Sequence, residues 1–177
     1  MLIKVVFFTV LAVSVYFVGF AGNCLLTVGD LAPDFTVLDE NSQPWSLSAQ
    51  RGKAIVLYFY PRDETKNCTE QACSIGAGYS KFRELNTVVA GINRQSPEVH
   101  KAFKENHYLP FSLLSDSDGD VCRKYGAMRA ISYLPPRRIT FVVDTDGKIA
   151  EILPEVDVAT HTEHLLEILK KLSSHNR

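Results

Sequence analysis

The chain has 177 residues, 46% of them hydrophobic and 22% charged, with a formal net charge of −1, which describes one ordinary globular domain plus a short extension. That balance excludes the basic field a nucleic-acid partner needs, and neither a polybasic run nor an acidic tail is present. The four cysteines, Cys24, Cys68, Cys73 and Cys122, are too few for a disulfide-stapled miniature scaffold and lack the paired spacing of a zinc site.

Lys4 is followed by an uncharged run that lasts until Asp30. Its first part, up to Ala21, has the length of a signal-peptide apolar region, and Gly19 and Ala21 satisfy the small-x-small rule for cleavage after Ala21. The whole run also approaches the roughly 20 residues that cross a bilayer. Residues 1–21 are therefore read as a signal peptide or a membrane anchor, with any anchoring carried by residues 5–26. Either device exports the domain that follows, because Lys4 favours the inner side. The expected location is the bacterial periplasm or the periplasmic face of the inner membrane. Asn23 stands before Cys24 where a lipobox wants Gly, Ala or Ser, which argues against lipid attachment.

Strands and helices then alternate. Residues 54–60 are a β-prone apolar run that reads as a central strand buried on both faces, and Pro61 ends it. A helical stretch follows over residues 68–85, then a strand over 87–92. Ser96-Pro97 has the form of an N-cap with proline at the first helical position, and Val99 and Phe103 are spaced by one turn in the helix behind it. A short strand at 111–114 and a short helix at 121–125 come next. The runs at 139–143 and 148–153 flank Asp144-Thr-Asp-Gly147, a hairpin signal. Thr160 and Glu163 have capping-box spacing, and Leu165, Ile168, Leu169 and Leu172 share one face of the last helix. The pattern predicts an α/β domain over residues 28–172, with a mixed central sheet flanked by helices.

The chemistry-bearing segment is Pro61-Arg-Asp-Glu-Thr65-Lys-Asn-Cys68-Thr-Glu-Gln-Ala-Cys73. It follows the carboxyl end of the buried strand, where active sites of open α/β sheets gather. Asn67 and Glu70 have the spacing of an N-terminal box, which would put Cys68 in the first helical turn. Free N–H groups and the positive end of the helix dipole favour an anion there, and a thiolate is the reactive form of cysteine. Thr65 lies one turn earlier, so its hydroxyl can reach the same spot, while Pro61 sets the entry loop and shields the sulfur. On helix geometry the Cys68 and Cys73 Cα atoms would be roughly 8–9 Å apart, whereas a disulfide needs less than roughly 7 Å. The pair is thus a poor static staple and a reasonable switch: Cys68 is oxidised to the sulfenic acid, the helix frays, and Cys73 attacks. Gly76 and Gly78 either assist that fraying or allow close packing.

The spacing Pro61-x-x-x-Thr65-x-x-Cys68 resembles the peroxiredoxin active-site motif, and the placing of Cys73 is similar to the bacterioferritin comigratory protein, or peroxiredoxin Q, subfamily. Val28-Gly29-Asp30-x-Ala32-Pro33-Asp34-Phe35, Ser96-Pro97-Glu98-x-His100-x-x-Phe103, Leu113-Leu-Ser-Asp116, Tyr125-Gly126 and Thr140-Phe-Val-Val-Asp144 extend the resemblance over most of the chain. Asn67 stands where the subfamily usually has Gly, and Ile75-Gly76-Ala77-Gly78 replaces its usual Arg-Asp pair. The resemblance implies a thioredoxin-like fold and a thioredoxin-dependent peroxidase acting on hydrogen peroxide and organic hydroperoxides. Cys68 would be the nucleophile and Cys73 the resolving thiol. Arg138, just before the Thr140-Phe141 strand, would reach the sulfur. No cofactor or metal is implied. The expected partners are a hydroperoxide and a thioredoxin-like dithiol reductant, and the expected state is a monomer or weak dimer.

Two alternatives use the same thiols: an exported thiol–disulfide oxidoreductase, which usually needs C-x-x-C, and a redox sensor without turnover. Other features read as bland. Cys122 is expected to be buried packing. Asp116-Ser-Asp118-Gly-Asp120 lacks the glycine and closing glutamate of a calcium loop. His161 and His164 read as a solvated helix start, and Trp45 as packing.

Overall fold

The structure, a computed structural model, describes residues 26–131 and 133–175. The signal or anchor segment at residues 1–21 and Cys24 lie outside the described residues. Among the described residues no helix is long and apolar enough to cross a membrane.

Two short strands open the domain, β1 (Thr36–Asp39) and β2 (Pro44–Ser46), paired antiparallel. Sequence patterning did not mark them, since β2 has three residues and begins with proline. Pro44 is tolerated because it is the first residue of an edge strand. Next come β3 (Ala54–Phe59), β4 (Thr87–Asn93), β5 (Ser112–Ser115), β6 (Ile139–Val143) and β7 (Ile149–Leu153). They form one mixed sheet in the order β2-β1-β5-β4-β3-β6-β7. The central pairs β3–β4 and β4–β5 are parallel, and the outer pairs are antiparallel. The Asp-Gly signal does make the β6–β7 hairpin: Asp144 Oδ1 accepts from the N–H groups of Asp146 and Lys148, and Gly147 takes φ +83°.

β3 shows why the sheet carries helices on both sides. Successive side chains of a strand point to opposite faces. Ile55, Leu57 and Phe59 join one apolar cluster, which contains Trp45 and Tyr125. Val56, Tyr58 and Tyr60 join the other, with Phe103, Leu165 and Leu169. Trp45 stacks on Phe35 at 5.7 Å, so it is core packing. The second face is covered by α1 (Lys66–Ala77), α2 (Tyr79–Glu84), α3 (Pro97–Asn106) and α5 (His161–His175). The short α4 (Asp120–Lys124) covers the first face through Val121 and Cys122. Asp116 caps that helix by accepting from the N–H groups of Val121 and Cys122. The acidic run there thus serves a helix end.

Several expectations are corrected in detail. The helix expected over 68–85 is two helices, α1 and α2, meeting at Gly78. A Cβ on Gly78 would stand 2.8 Å from the Thr162 methyl, so this glycine serves close packing. On α3, Ser96 is the N-cap residue and Pro97 the first helical position, but Val99 is exposed, and His100 and Phe103 are the buried pair. At the start of α5 the Thr160 N–H and hydroxyl both donate to Asp157 and form no box with Glu163.

Gly91 of β4 faces Tyr58 of β3, and a Cβ on it would lie 2.6 Å from the phenol oxygen of that fully buried ring. Gly91→Ala should destabilise the fold by about 1–3 kcal/mol through overpacking, read as a lower urea midpoint with an unchanged slope.

Candidate active site

The loop from Pro61 to Thr65 links the carboxyl end of β3 to α1 and is tied down residue by residue. The buried Asp63 carboxylate accepts the Tyr60 hydroxyl at 2.7 Å and Asn93 Nδ2 at 2.9 Å, and it lies 2.8 Å from His100 Nδ1. The Asp63 N–H donates to Gln95 Oε1 at 2.7 Å. Glu64 is held at φ +58°, and its carboxylate bonds Asn106 Nδ2 at 3.1 Å and His107 Nε2 at 2.9 Å. Hydrogen bonds from His107 and Asn106 keep that carboxyl below its ordinary range. Two consecutive acidic residues are therefore gripped by two histidines about two turns apart on one side of α3. Pro61 itself is half-buried.

The N-cap of α1 is Thr65, two residues earlier than the Asn67–Glu70 spacing suggests, and no side chain caps it. Cys68 is the third helical residue, so its N–H belongs to the first turn and has no intrahelical partner. The thiol is 1% exposed. The Thr65 side chain is exposed, and its hydroxyl donates to the Arg62 carbonyl at 3.1 Å. Cys73 is exposed further along α1, and Cys68, Cys73 and Cys122 are all free thiols. Cys122 is buried, and burial together with Asp116 pushes its thiol far up.

Arg138 arrives from 70 residues further along the chain than Cys68. Ile139 of β6 lies opposite Phe59 of β3, so the residue just before β6 is delivered to the carboxyl end of β3. Arg138 Nη2 donates to Cys68 Sγ at 3.1 Å, and Nη1 donates to Gln71 Oε1. Arg137 is exposed, and its N–H bonds the Ala127 carbonyl.

Sequence reasoning missed what lies behind Arg138. Gln71 is 1% exposed, and its Nε2 lies 3.1 Å from His161 Nδ1. His161 Nε2 lies 3.1 Å from Thr140 Oγ1. His161 is thus no solvated helix start: it is 3% exposed. Burial first, then the charges of Arg138 and His164, push it down to about 4. The signal for it in the sequence is weak, because a polar residue at a helix start reads as solvated. Beneath the sulfur, the Tyr58 and Tyr60 rings stack at 5.2 Å. Burial raises both phenols well above their ordinary value.

A buried first-turn cysteine under a guanidinium, with a second cysteine exposed on the same helix, is an arrangement for thiolate chemistry. The model of the AhpC/TSA family matches residues 28–152. This chain belongs to the AhpC/TSA family. It is a peroxiredoxin of the Bcp/peroxiredoxin Q kind. It is 37% identical over 146 residues to the putative peroxiredoxin bcp of Coxiella burnetii, covering 80% of this chain and 97% of that protein. It is 38% identical over 148 residues to the chloroplastic peroxiredoxin Q of Sedum lineare, covering 83% of this chain and 80% of that protein. Among solved structures it is similar to peroxidoxin BcpB from Mycobacterium tuberculosis, with a TM-score of 0.78 at 30% identity over 83% of this chain and 98% of that one. It is also similar to the bacterioferritin comigratory protein of Xanthomonas campestris, with a TM-score of 0.77 at 25% identity over 84% and 98%. The peroxiredoxin has the thioredoxin-like fold and is a thiol-dependent peroxidase.

The neutral His161 of this peroxiredoxin also shapes its acid stability. Its folded value is about 4 against an ordinary 6.5, so below 6.5 the unfolded chain takes up a proton that the folded chain refuses. The contribution is complete above pH 6.5 and is lost as pH falls toward 4, by up to about 1.4 kcal/mol per pH unit. In urea titrations at about pH 7 and about pH 5, His161→Asn should lose less stability than the parent over that interval.

Proposed function

We propose that Cys68 is the peroxide-reducing nucleophile of this peroxidase and Cys73 its resolving thiol. The observation that carries the reading is the 3.1 Å contact from Arg138 to a sulfur in the first turn of α1. The guanidinium and the free N–H groups of that turn stabilise the thiolate, and they stabilise the charge that develops on the peroxide oxygens. The thiolate attacks the peroxide oxygen that carries a proton, the S–O bond forms as the O–O bond breaks to leave the sulfenic acid, and the departing oxygen takes a proton from solvent to leave as water or alcohol. Pro61 keeps bulk water from the sulfur. The Thr65 hydroxyl turns from the Arg62 carbonyl to accept from the peroxide O–H.

The sulfenic acid on Cys68 is then attacked by the Cys73 sulfur, whose thiol proton goes to the departing hydroxide, so that water leaves as the disulfide forms. One thiol is buried and the other exposed, so the first turns of α1 unwind in this step. A thioredoxin-like dithiol returns both cysteines to the reduced state and is itself oxidised. The related Xanthomonas protein is described by its alkyl peroxide reduction activity. For this chain we infer hydrogen peroxide and organic hydroperoxides as substrates. A plain thiol–disulfide oxidoreductase would leave the Arg138 contact without a task. For the N-terminal segment we propose export, which mass-spectrometric mapping of the mature N-terminus in the host tests: a mature chain that starts at Gly22 means cleavage after Ala21.

One equivalent of hydrogen peroxide added to the reduced protein should produce a Cys68–Cys73 disulfide, with Cys122 free by peptide mapping. Cys68→Ser should abolish peroxide consumption. Cys73→Ser should still consume one equivalent and stop at an oxidised Cys68. Arg138→Ala should slow the first step by about a hundredfold to a thousandfold, measured by stopped flow. An unreacted Cys68 would sink the assignment.

A further inference from the structure

Gln71 lies between Cys68 and Cys73 on α1 and has both ends of its amide engaged. A guanidinium has donors only, so the amide atom facing Arg138 is the oxygen and the one facing His161 is the nitrogen. The amide nitrogen donates, so His161 Nδ1 must accept. The ring proton then sits on Nε2 and is given to Thr140 Oγ1, 3.1 Å away. Only the neutral ring fits this arrangement, and a group pushed down to about 4 is neutral at ordinary pH. The tautomer thus follows from Arg138 through one amide.

His161 and Thr162 are the first two residues of α5, and both touch α1. The hydroxyls of Thr162 and Ser74 lie 2.8 Å apart. The Thr162 methyl occupies the space a side chain on Gly78 would need. The start of α5 therefore touches α1 at Gln71, Ser74 and Gly78, and the first of these contacts lies inside the segment between the two thiols.

We propose that His161 is a positioning residue that holds Arg138 against Cys68 through Gln71, and by the same bond opposes the unwinding of α1 that joins Cys68 to Cys73. This rests on the reading of those thiols given above. The two effects have opposite signs on the two steps. Without the imidazole, the buried Gln71 nitrogen has no partner, its amide turns, and Arg138 loses the oxygen that orients it. The thiolate is then less favoured. The same loss frees the segment between the cysteines, so the disulfide forms more readily. His161 favours the compact state that reacts with peroxide over the unwound state that resolves.

Three variants test this in the full chain. His161→Ala removes the ring. His161→Asn puts an amide oxygen near the Nδ1 position and keeps an acceptor for Gln71. His161→Gln reaches the Nε2 position, toward Thr140, and offers Gln71 nothing. The readouts are the pH profile of Cys68 alkylation by iodoacetamide, the stopped-flow rate with hydrogen peroxide, the rate of the following disulfide step, and the sulfinic fraction at excess peroxide. For His161→Ala and His161→Gln the alkylation profile should move alkaline by roughly one pH unit, a tenfold loss of thiolate at fixed pH. Peroxide reaction should slow, disulfide formation should quicken, and less sulfinic acid should accumulate. His161→Asn should behave like the parent. General loosening of the fold would quicken the disulfide step without moving the alkylation profile, and that result overturns the proposal. So does equal behaviour of the Asn and Gln variants, which remains readable even if the Ala variant does not fold. If the parent consumes no peroxide while the profile still moves, the positioning role stands and the peroxidase assignment fails. If the parent turns over and the profile does not move, the reverse holds.

Discussion

The contact between Arg138 and Cys68 organises this molecule. A buried sulfur can serve as a thiolate only if something repays its desolvation. Here a guanidinium from 70 residues further along the chain and the first turn of α1 meet at one such sulfur. Every neighbouring feature bears on keeping those two in register. The antiparallel pairing of β6 with β3 delivers Arg138 to the carboxyl end of β3. The parallel pairing of β3 with β4 brings Asn93 and Gln95 to the loop that enters α1.

That loop is held from one side by α3 and the helix after it from another by α5. Asp63 and Glu64 meet His100 and His107, and Gln71 meets His161. Three histidines from two helices thus hold a stretch of nine residues around the thiol. Glu64 sits at φ +58°, a conformation that non-glycine residues adopt only when their surroundings enforce it. The bonds from Asn106 and His107 supply that enforcement.

The same packing explains why the two cysteines lie in different environments. Cys68 faces inward onto Tyr58 and Tyr60 in a core cluster, while Cys73 looks outward. Gly78 ends α1 where α5 crosses, with the Thr162 methyl filling the space beside it. The helix is thus anchored at its start by the acidic loop, braced in its middle, and stopped at its end by a close crossing.

Much of this was legible before any coordinates. The unbroken apolar run of β3, Pro97 at the first position of α3, the Asp-Gly turn after β6 and the apolar face of α5 are local statements, and local chemistry determined them. The same is true of the cysteine at a helix start just beyond a buried strand. The capping pair Asn67–Glu70 misled by two residues, and the one-turn spacing of Val99 and Phe103 did not show that His100 is the residue buried with Phe103, because periodicity over ten residues leaves the phase to the tertiary neighbours. His161 was misread for a deeper reason. A histidine near a helix start is solvated by default, and the group it meets in the interior is Gln71, 90 residues earlier in the chain. The sequence by itself determined that a cysteine opens a helix just beyond the buried strand and the order of the main elements, since both follow from residue type and spacing. Only the tertiary structure decided which polar groups meet in the interior, the direction of each hydrogen bond and the tautomer of the buried ring, because those depend on partners that the chain brings together from far apart.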